Sequence, residues 1–115
     1  MEVKHSEKIN GLGLFSKSQY KKGEIIFILN GPIKNKPTRE SIYIGENKHI
    51  TDEWGIFMNH SFSPTTLIKG RNVVALINID VGDELTFNYN DNEINMACPF
   101  SVGDILVCGK KISQN

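Results

Sequence analysis

Short apolar runs separated by turn residues dominate the chain, and no stretch of ten or more residues carries the 3.6-residue repeat of an amphipathic helix. The pattern predicts strands over residues 24–29, 72–79 and 84–89, with a glycine-rich apolar segment at 11–15. Residues 33–53 read as an irregular insert with one further strand at 41–44, and residues 54–60 favour a short helix or an extended lead-in. The chain is therefore predicted to be a mainly β domain.

The predicted strand 84–89 has a marked alternation of side chains. Leu85, Phe87 and Tyr89 would share one face, because successive side chains of a strand point to opposite sides. Phe87 and Tyr89 are therefore expected to act together.

Composition narrows the class of protein. A length of 115 residues supports one core, so residues 1–115 are interpreted as a single domain, and 39% hydrophobic residues are typical of a folded one. The balance of 13 Lys plus Arg against 13 Asp plus Glu argues against a dedicated nucleic-acid binder, which needs excess positive charge. No apolar run approaches the roughly 20 residues of a membrane span, and the N-terminal residues do not resemble a secretory signal. An intracellular protein is expected, in the cytoplasm or, given a specialised route, in the nucleus or a host cell.

Three short motifs could carry chemistry, although each has a structural alternative. Gly11-Leu12-Gly13 could cradle a ligand against bare backbone or simply form a turn. Asn59-His60-Ser61 groups an amide, an imidazole and a hydroxyl, and taken alone it also suits a buried polar turn. Phe87 and Tyr89 could equally be core aromatics.

Taken in order, these motifs resemble a known family. Gly11-Leu12-Gly13-Leu14-Phe15, Lys22-Gly23-Glu24-Ile25-Ile26, Asn59-His60-Ser61-Phe62-Ser63-Pro64-Thr65 and Ile79-Asp80-Val81-Gly82-Asp83-Glu84-Leu85-Thr86-Phe87-Asn88-Tyr89 are similar to a minimal SET domain, the fold of protein-lysine methyltransferases. The resemblance is strongest over residues 9–97. It implies a β-clip-like fold of several small sheets with a C-terminal pseudoknot, which brings the Asn59 segment beside the Tyr89 strand.

The resemblance also implies roles for individual residues. The backbone of Gly11, Leu12 and Gly13 and the side chain of Asn59 would hold the methionine part of S-adenosylmethionine. His60 would contact the adenine, mainly through its backbone. Tyr89 would be the catalytic tyrosine and would also border the cofactor.

Two further residues are assigned to the lysine channel. Phe87 occupies a position at which the family carries Phe or Tyr, and Phe leaves more space beside the amine, so di- or trimethylation is expected. Tyr43, in the insert, is a further candidate for the channel wall.

The C-terminal part departs from the family pattern. Many members bind zinc through four cysteines that close the cofactor pocket, whereas this chain has Phe62 at the first of those places and only Cys98 and Cys108 thereafter. No zinc is therefore expected. Residues 98–115 are interpreted as a degenerate tail, in which Phe100 is a candidate to cover the adenine.

The expected partner is a lysine-bearing protein or peptide, histone-like or other, and formation of a homodimer is left open. Acidic residues cluster in residues 80–93, either as a rim that attracts basic peptides or as a solvated turn face. Two rival interpretations stay open: the same fold retained as a peptide-binding module without turnover, and a β-rich interaction domain of unrelated function.

Overall fold

The computed structural model describes residues 1–6, 11–93, 96–97 and 99–109. It contains many short strands and almost no helix, which confirms the prediction of a mainly β domain. The elements in chain order are β1 (Glu2–Ser6), β2 (Gly11–Phe15), β3 (Ile25–Ile28), β4 (Ile33–Lys34), β5 (Ile42–Gly45), β6 (Lys48–Ile50), a 3₁₀ helix (Gly55–Phe57), β7 (Asn59–His60), β8 (Thr66–Lys69), β9 (Asn72–Ala75), β10 (Thr86–Phe87), α1 (Tyr89–Asn92), β11 (Phe100–Val102) and β12 (Ile105–Val107).

These strands form five small sheets. Strands β1 and β2 make an antiparallel pair, as do β11 and β12, while β3-β9-β8 and β4-β6-β5 are three-stranded antiparallel sheets. Strands β7 and β10 form a parallel pair, in which Asn59 is opposite Thr86 and His60 is opposite Phe87. Two segments far apart in the chain are thereby joined at one place, as the resemblance implied.

One hydrophobic core holds the small sheets together. Its buried members come from most of the sheets and from the loops between them: Leu14, Leu29, Ile42, Ile50, Met58, Val73, Ala75, Ile79, Leu85 and Phe87. Since sheets of two or three short strands are marginal on their own, this shared burial is what stabilises them.

The predicted strand 84–89 is wrong in its length. Strand β10 spans Thr86 and Phe87 alone, and Tyr89 begins the helical turn α1. The cause is Asn88, whose side chain accepts a hydrogen bond from the backbone N–H of Asn90 (2.9 Å) and so caps the helix. The expected contact between the two aromatic residues survives, because the rings of Phe87 and Tyr89 lie 4.7 Å apart between centroids.

The other predicted boundaries also shift. Strand 72–79 ends at Ala75, the predicted strand 24–29 spans Ile25–Ile28, and the helix of 54–60 shrinks to the 3₁₀ turn before β7. The insert holds three strands rather than one, and β1, β8, β11 and β12 were not predicted. No helix in the described ranges is long and apolar enough to cross a membrane.

Candidate functional site

Tyr89 connects the two strands of the parallel pair. Its hydroxyl donates a hydrogen bond to the backbone carbonyl of Met58 (2.5 Å), the residue that precedes β7. Its backbone N–H donates to Nδ1 of His60 in β7 (3.0 Å). Both ends of the tyrosine are thus fixed against residues 58–60, and the predicted site residues Tyr89 and His60 meet at this point.

The Tyr89 hydroxyl is a hydrogen-bond donor rather than a base. Burial raises the pKa of Tyr89 well above its ordinary value, and the nearby carboxylates of Glu93 and Glu84 raise this pKa further. At neutral pH the phenol therefore keeps its proton.

The carbonyl that accepts this bond is positioned by a buried carboxylate. Asp52 accepts hydrogen bonds from the backbone N–H groups of Trp54 and Gly55 (both 2.7 Å), which starts the 3₁₀ helix, and from that of Asn30 (2.8 Å). Met58 directly follows the helix, and its side chain is buried in the core. The direction of the Met58 carbonyl is therefore set by packed structure.

Gly13 lies where polar side chains converge. The Asn59 amide donates to the carbonyl of Leu12 (2.9 Å) and to Oε2 of Glu84 (2.7 Å), while Oε1 of Glu84 accepts from the hydroxyl of Ser6 (2.8 Å). A Cβ on Gly13 would lie 2.5 Å from Oε2 of Glu84 and 3.0 Å from Nδ2 of Asn59. The bare backbone therefore lets an amide and a carboxylate approach β2 closely.

His60 sits in a cluster of aromatic rings. Its ring is 4.4 Å from that of Phe62, 5.2 Å from that of Tyr89 and 6.0 Å from that of Phe100, all edge-on. Nδ1 accepts a hydrogen bond, so the neutral ring carries its proton on Nε2, a buried atom with no hydrogen-bond partner among the described residues. Burial lowers the pKa of His60, and Asp91 partly opposes this effect. The cluster leaves one unused donor beside apolar faces.

Asn90 ties the C-terminal hairpin β11–β12 to this cluster. Its Nδ2 donates to the carbonyl of Leu106 (3.1 Å), and its Oδ1 accepts from the backbone N–H groups of Cys108 and Gly109 (both 3.1 Å). Phe100, at the start of the hairpin, also reaches the ring of Tyr89, 6.1 Å away between centroids. An amide side chain thus anchors the hairpin that carries Phe100, the residue predicted as a candidate to cover the adenine.

Beside Tyr89 a pocket opens, in which the empty space is about 440 Å³ when the open solvent at its mouth is included. Phe87, Tyr89 and Met58 line its inner part together with Glu93, and the insert segment 37–41 borders it. We call this space the Phe87–Tyr89 pocket. It is lined both by Phe87, a predicted channel residue, and by Tyr89, the predicted catalytic residue.

Glu93 is the unexpected member of this pocket. Its side chain is only 4% exposed, and Oε2 accepts hydrogen bonds from the backbone N–H of Tyr43 (3.0 Å) and from Nδ2 of Asn92 (2.7 Å). Burial raises the pKa of Glu93 to about 6, with the two hydrogen bonds acting against the shift. In the sequence, Glu93 stands out only as a member of the acidic segment 80–93.

The structure does not bring every predicted residue into the pocket. Tyr43 instead lines a neighbouring groove, which Phe87 also borders. The ring of Tyr43 is 5.2 Å from that of His49, and its backbone N–H reaches Glu93. Leu12 is 54% exposed, so its described contribution to the site is its carbonyl, and Gly11 opens β2 at its edge. Cys98 lies outside the described residues. Within the described ranges, no three His, Cys, Asp or Glu side chains are grouped so that they could hold a metal ion.

Comparison with protein families gives a match to the SET domain over residues 11–90. Among solved structures, the chain is similar to a Plasmodium falciparum protein described as a candidate histone methyltransferase. The two share 30% sequence identity at a TM-score of 0.60, and the match covers 76% of this chain and 90% of the other.

Two structures of ctPRC2 share the fold at lower identity. One, in an autoinhibited conformation bound to S-adenosylmethionine, matches at 19% identity and a TM-score of 0.63, over 78% of this chain. The other, in complex with H3K27me3 and H3K27M, matches at 18% identity and a TM-score of 0.64, over 83% of this chain. This chain spans only 15% of each ctPRC2 chain. A search of curated proteins found no match.

Proposed function

Because the chain belongs to the SET domain family, we propose that it transfers methyl groups from S-adenosylmethionine to the side-chain amine of a lysine in a protein substrate. The observation that carries this proposal is the fixed position of Tyr89. Its hydroxyl bonds to Met58, its backbone to His60, and its ring borders a pocket shared with Phe87. One residue thus joins the proposed cofactor side to the proposed lysine side.

The residues present suit the cofactor. Asn59 and Glu84 meet over Gly13, and an amide with a carboxylate complements the zwitterionic end of a bound amino acid. The unpartnered Nε2–H of His60 and the faces of Phe62 and Phe100 suit a flat heteroaromatic ring. When bound, S-adenosylmethionine supplies a methyl group on a positively charged sulfur.

The chain's own contribution is alignment. Nucleophile, methyl carbon and leaving sulfur must lie in one line, so a narrow pocket with rigid walls lowers the barrier by positioning. Tyr89 keeps its proton and is held by the Met58 carbonyl, so its hydroxyl orients the reacting groups without removing a proton. Aromatic walls such as Phe87 also tolerate a cationic ammonium at their ring faces.

Phe87 supports the expectation of more than one methyl group. Its side chain is 3% exposed and ends in carbon, so it offers no hydroxyl to hold a water beside the amine. Space beside the amine is therefore left for methyl groups, and the proposed products are dimethyl- and trimethyl-lysine.

Incubation with methyl-labelled S-adenosylmethionine and a mixed protein lysate tests the proposal. We expect labelled lysine in the acceptor, mapped by mass spectrometry, and at least a roughly hundred-fold loss of transfer in Tyr89→Phe. This variant removes only the hydroxyl, so an unchanged circular dichroism spectrum would separate lost chemistry from lost folding. Cofactor binding by calorimetry with no labelled acceptor would instead favour a peptide-binding module.

A further inference from the structure

The hydrogen bonds that Glu93 accepts in the fold do not require a negatively charged side chain. It ties α1 to β5 by accepting from the backbone of Tyr43 and from Asn92, and both bonds go to Oε2. A neutral glutamine could accept the same two bonds without burying a charge. Within the described ranges no Lys, Arg or His side chain forms an ion pair with Glu93, although an unpaired buried charge is among the most costly groups in a fold.

The surroundings of this carboxylate suit a cationic ligand. It lines the Phe87–Tyr89 pocket, whose other described charged or titratable wall residues are Arg39 and Glu40, both exposed, and Tyr89. Arg39 and Glu40 oppose each other in sign, and Tyr89 is neutral. The pocket therefore has one buried negative charge beside aromatic rings, a combination that favours an alkylammonium group.

We propose that Glu93 is a substrate-binding residue that pairs with the ammonium group of the lysine entering the Phe87–Tyr89 pocket. The identification of the cation as a lysine side chain rests on the proposed function. The ion pair recruits lysine in its abundant protonated form. It also holds the methylated products, which are cations again at neutral pH.

The proton and charge balance limits Glu93 to this positioning role. Lysine loses one proton to solvent before reaction, and the neutral amine then forms the N–C bond while the C–S bond electrons return to sulfur. A carboxyl of pKa about 6 is too weak a base to take that proton from an ammonium of pKa about 10.4. Glu93 therefore binds and orients the cation, while desolvation and the sulfonium charge favour the neutral amine.

The test uses n-butylammonium, which reproduces the end of a lysine side chain, and neutral n-butanol of the same length. Binding to the full chain is followed by NMR in the wild type, in Glu93→Gln and in Asp91→Asn, which removes an exposed charge from the same helical turn. We expect the wild type and Asp91→Asn to prefer the ammonium, and Glu93→Gln to bind it roughly ten-fold more weakly. Affinity for butanol should be similar in all three.

The carboxyl signal of Glu93 gives a second readout that does not depend on activity. Because binding of a cation favours the ionised carboxylate, n-butylammonium should lower the pKa of Glu93, and butanol should not. Equal binding of the two probes by the wild type, or an ammonium preference that survives in Glu93→Gln, would overturn the inference. Glu93-dependent ammonium binding without any labelled acceptor would leave the cation site standing and refute the proposed reaction.

Discussion

Replacing Glu93 by Gln should make the protein more stable at neutral pH. The pKa of Glu93 is raised from 4.5 to about 6 in the folded chain, chiefly by burial. Folding therefore favours the protonated form, and between these two values the folded chain binds more protons than the unfolded chain. The free energy of unfolding contributed by this group is fully present below pH 4.5 and falls as pH rises through 6.

The size of this effect follows from the shift. One pKa unit corresponds to about 1.4 kcal/mol, so the wild type should lose about 2 kcal/mol relative to Glu93→Gln between pH 4 and pH 7.5. The comparison is a difference between two proteins across pH. Contributions from His49 and His60, whose pKa values are lowered by burial, are common to both proteins and cancel.

Urea denaturation followed through the single tryptophan, Trp54, measures this quantity, because Trp54 packs against the core and its emission changes on unfolding. Asp80→Asn, at an exposed aspartate, is the matched control and should run parallel to the wild type. Parallel wild-type and Glu93→Gln curves across this range would refute the reasoning, since the carboxylate would then carry no burial cost.

Substitutions at three further positions test the site. Phe87→Tyr should shift the product from di- and trimethyl-lysine to monomethyl-lysine in mass spectra, because the added hydroxyl fills the space beside the amine; identical product distributions would count against this role. Gly13→Ala should weaken S-adenosylmethionine binding at least about ten-fold by calorimetry, since the added Cβ would lie 2.5 Å from a Glu84 oxygen. The free energy of unfolding should change little, because the Glu84 side chain can move. Unchanged affinity would remove Gly13 from the cofactor site. Asn90→Ala should release the β11–β12 hairpin, at about 1 kcal/mol for each of three lost hydrogen bonds, and so increase proteolysis there and lower cofactor affinity. Asn90→Asp keeps the oxygen that accepts the two backbone hydrogen bonds, so proteolysis and cofactor affinity should change less than in Asn90→Ala. If neither substitution changes cofactor affinity, the hairpin is not part of the cofactor site.

Sequence reasoning reached the residues of the β7–β10 pair through their order and identity. The hydrophobic pattern could not predict the pairing of these strands, because strands of two residues are too short to show an alternation of apolar and polar residues. The extension of the strand to Tyr89 failed where local chemistry competed with alternation. Asn88, a favoured N-cap residue, followed three residues later by the acidic Asp91 is a helix-start signal, and recognising it would have moved the boundary.

The C-terminal hairpin also left a signal in the sequence. Phe100-Ser101-Val102 and Ile105-Leu106-Val107 flank Gly103-Asp104, a pair that favours a tight turn, and Gly103 indeed has a positive φ of 61°. The burial of Glu93 left no such signal. It depends on a backbone N–H of Tyr43 fifty positions earlier in the chain, so only the assembled fold separates this glutamate from its exposed neighbour Asp91.

Two carboxylates, those of Glu84 and Glu93, lie near Tyr89 and act on it electrostatically. Burial is the main cause of the raised pKa of the Tyr89 hydroxyl, and Glu93 and Glu84 both raise this pKa further. Within the described ranges neither carboxylate forms an ion pair with Lys or Arg. For a domain whose total stability is of the order of 5–15 kcal/mol, a cost of about 2 kcal/mol at Glu93 alone is substantial.

The proposed reaction brings two cations into the site, the sulfonium cofactor with its ammonium group and the substrate lysine. One carboxylate lies at Gly13 on the cofactor side and the other in the Phe87–Tyr89 pocket, so each negative charge would be neutralised when its ligand is bound. The charge of Glu93, which weakens the free protein, is therefore one that the proposed lysine would stabilise.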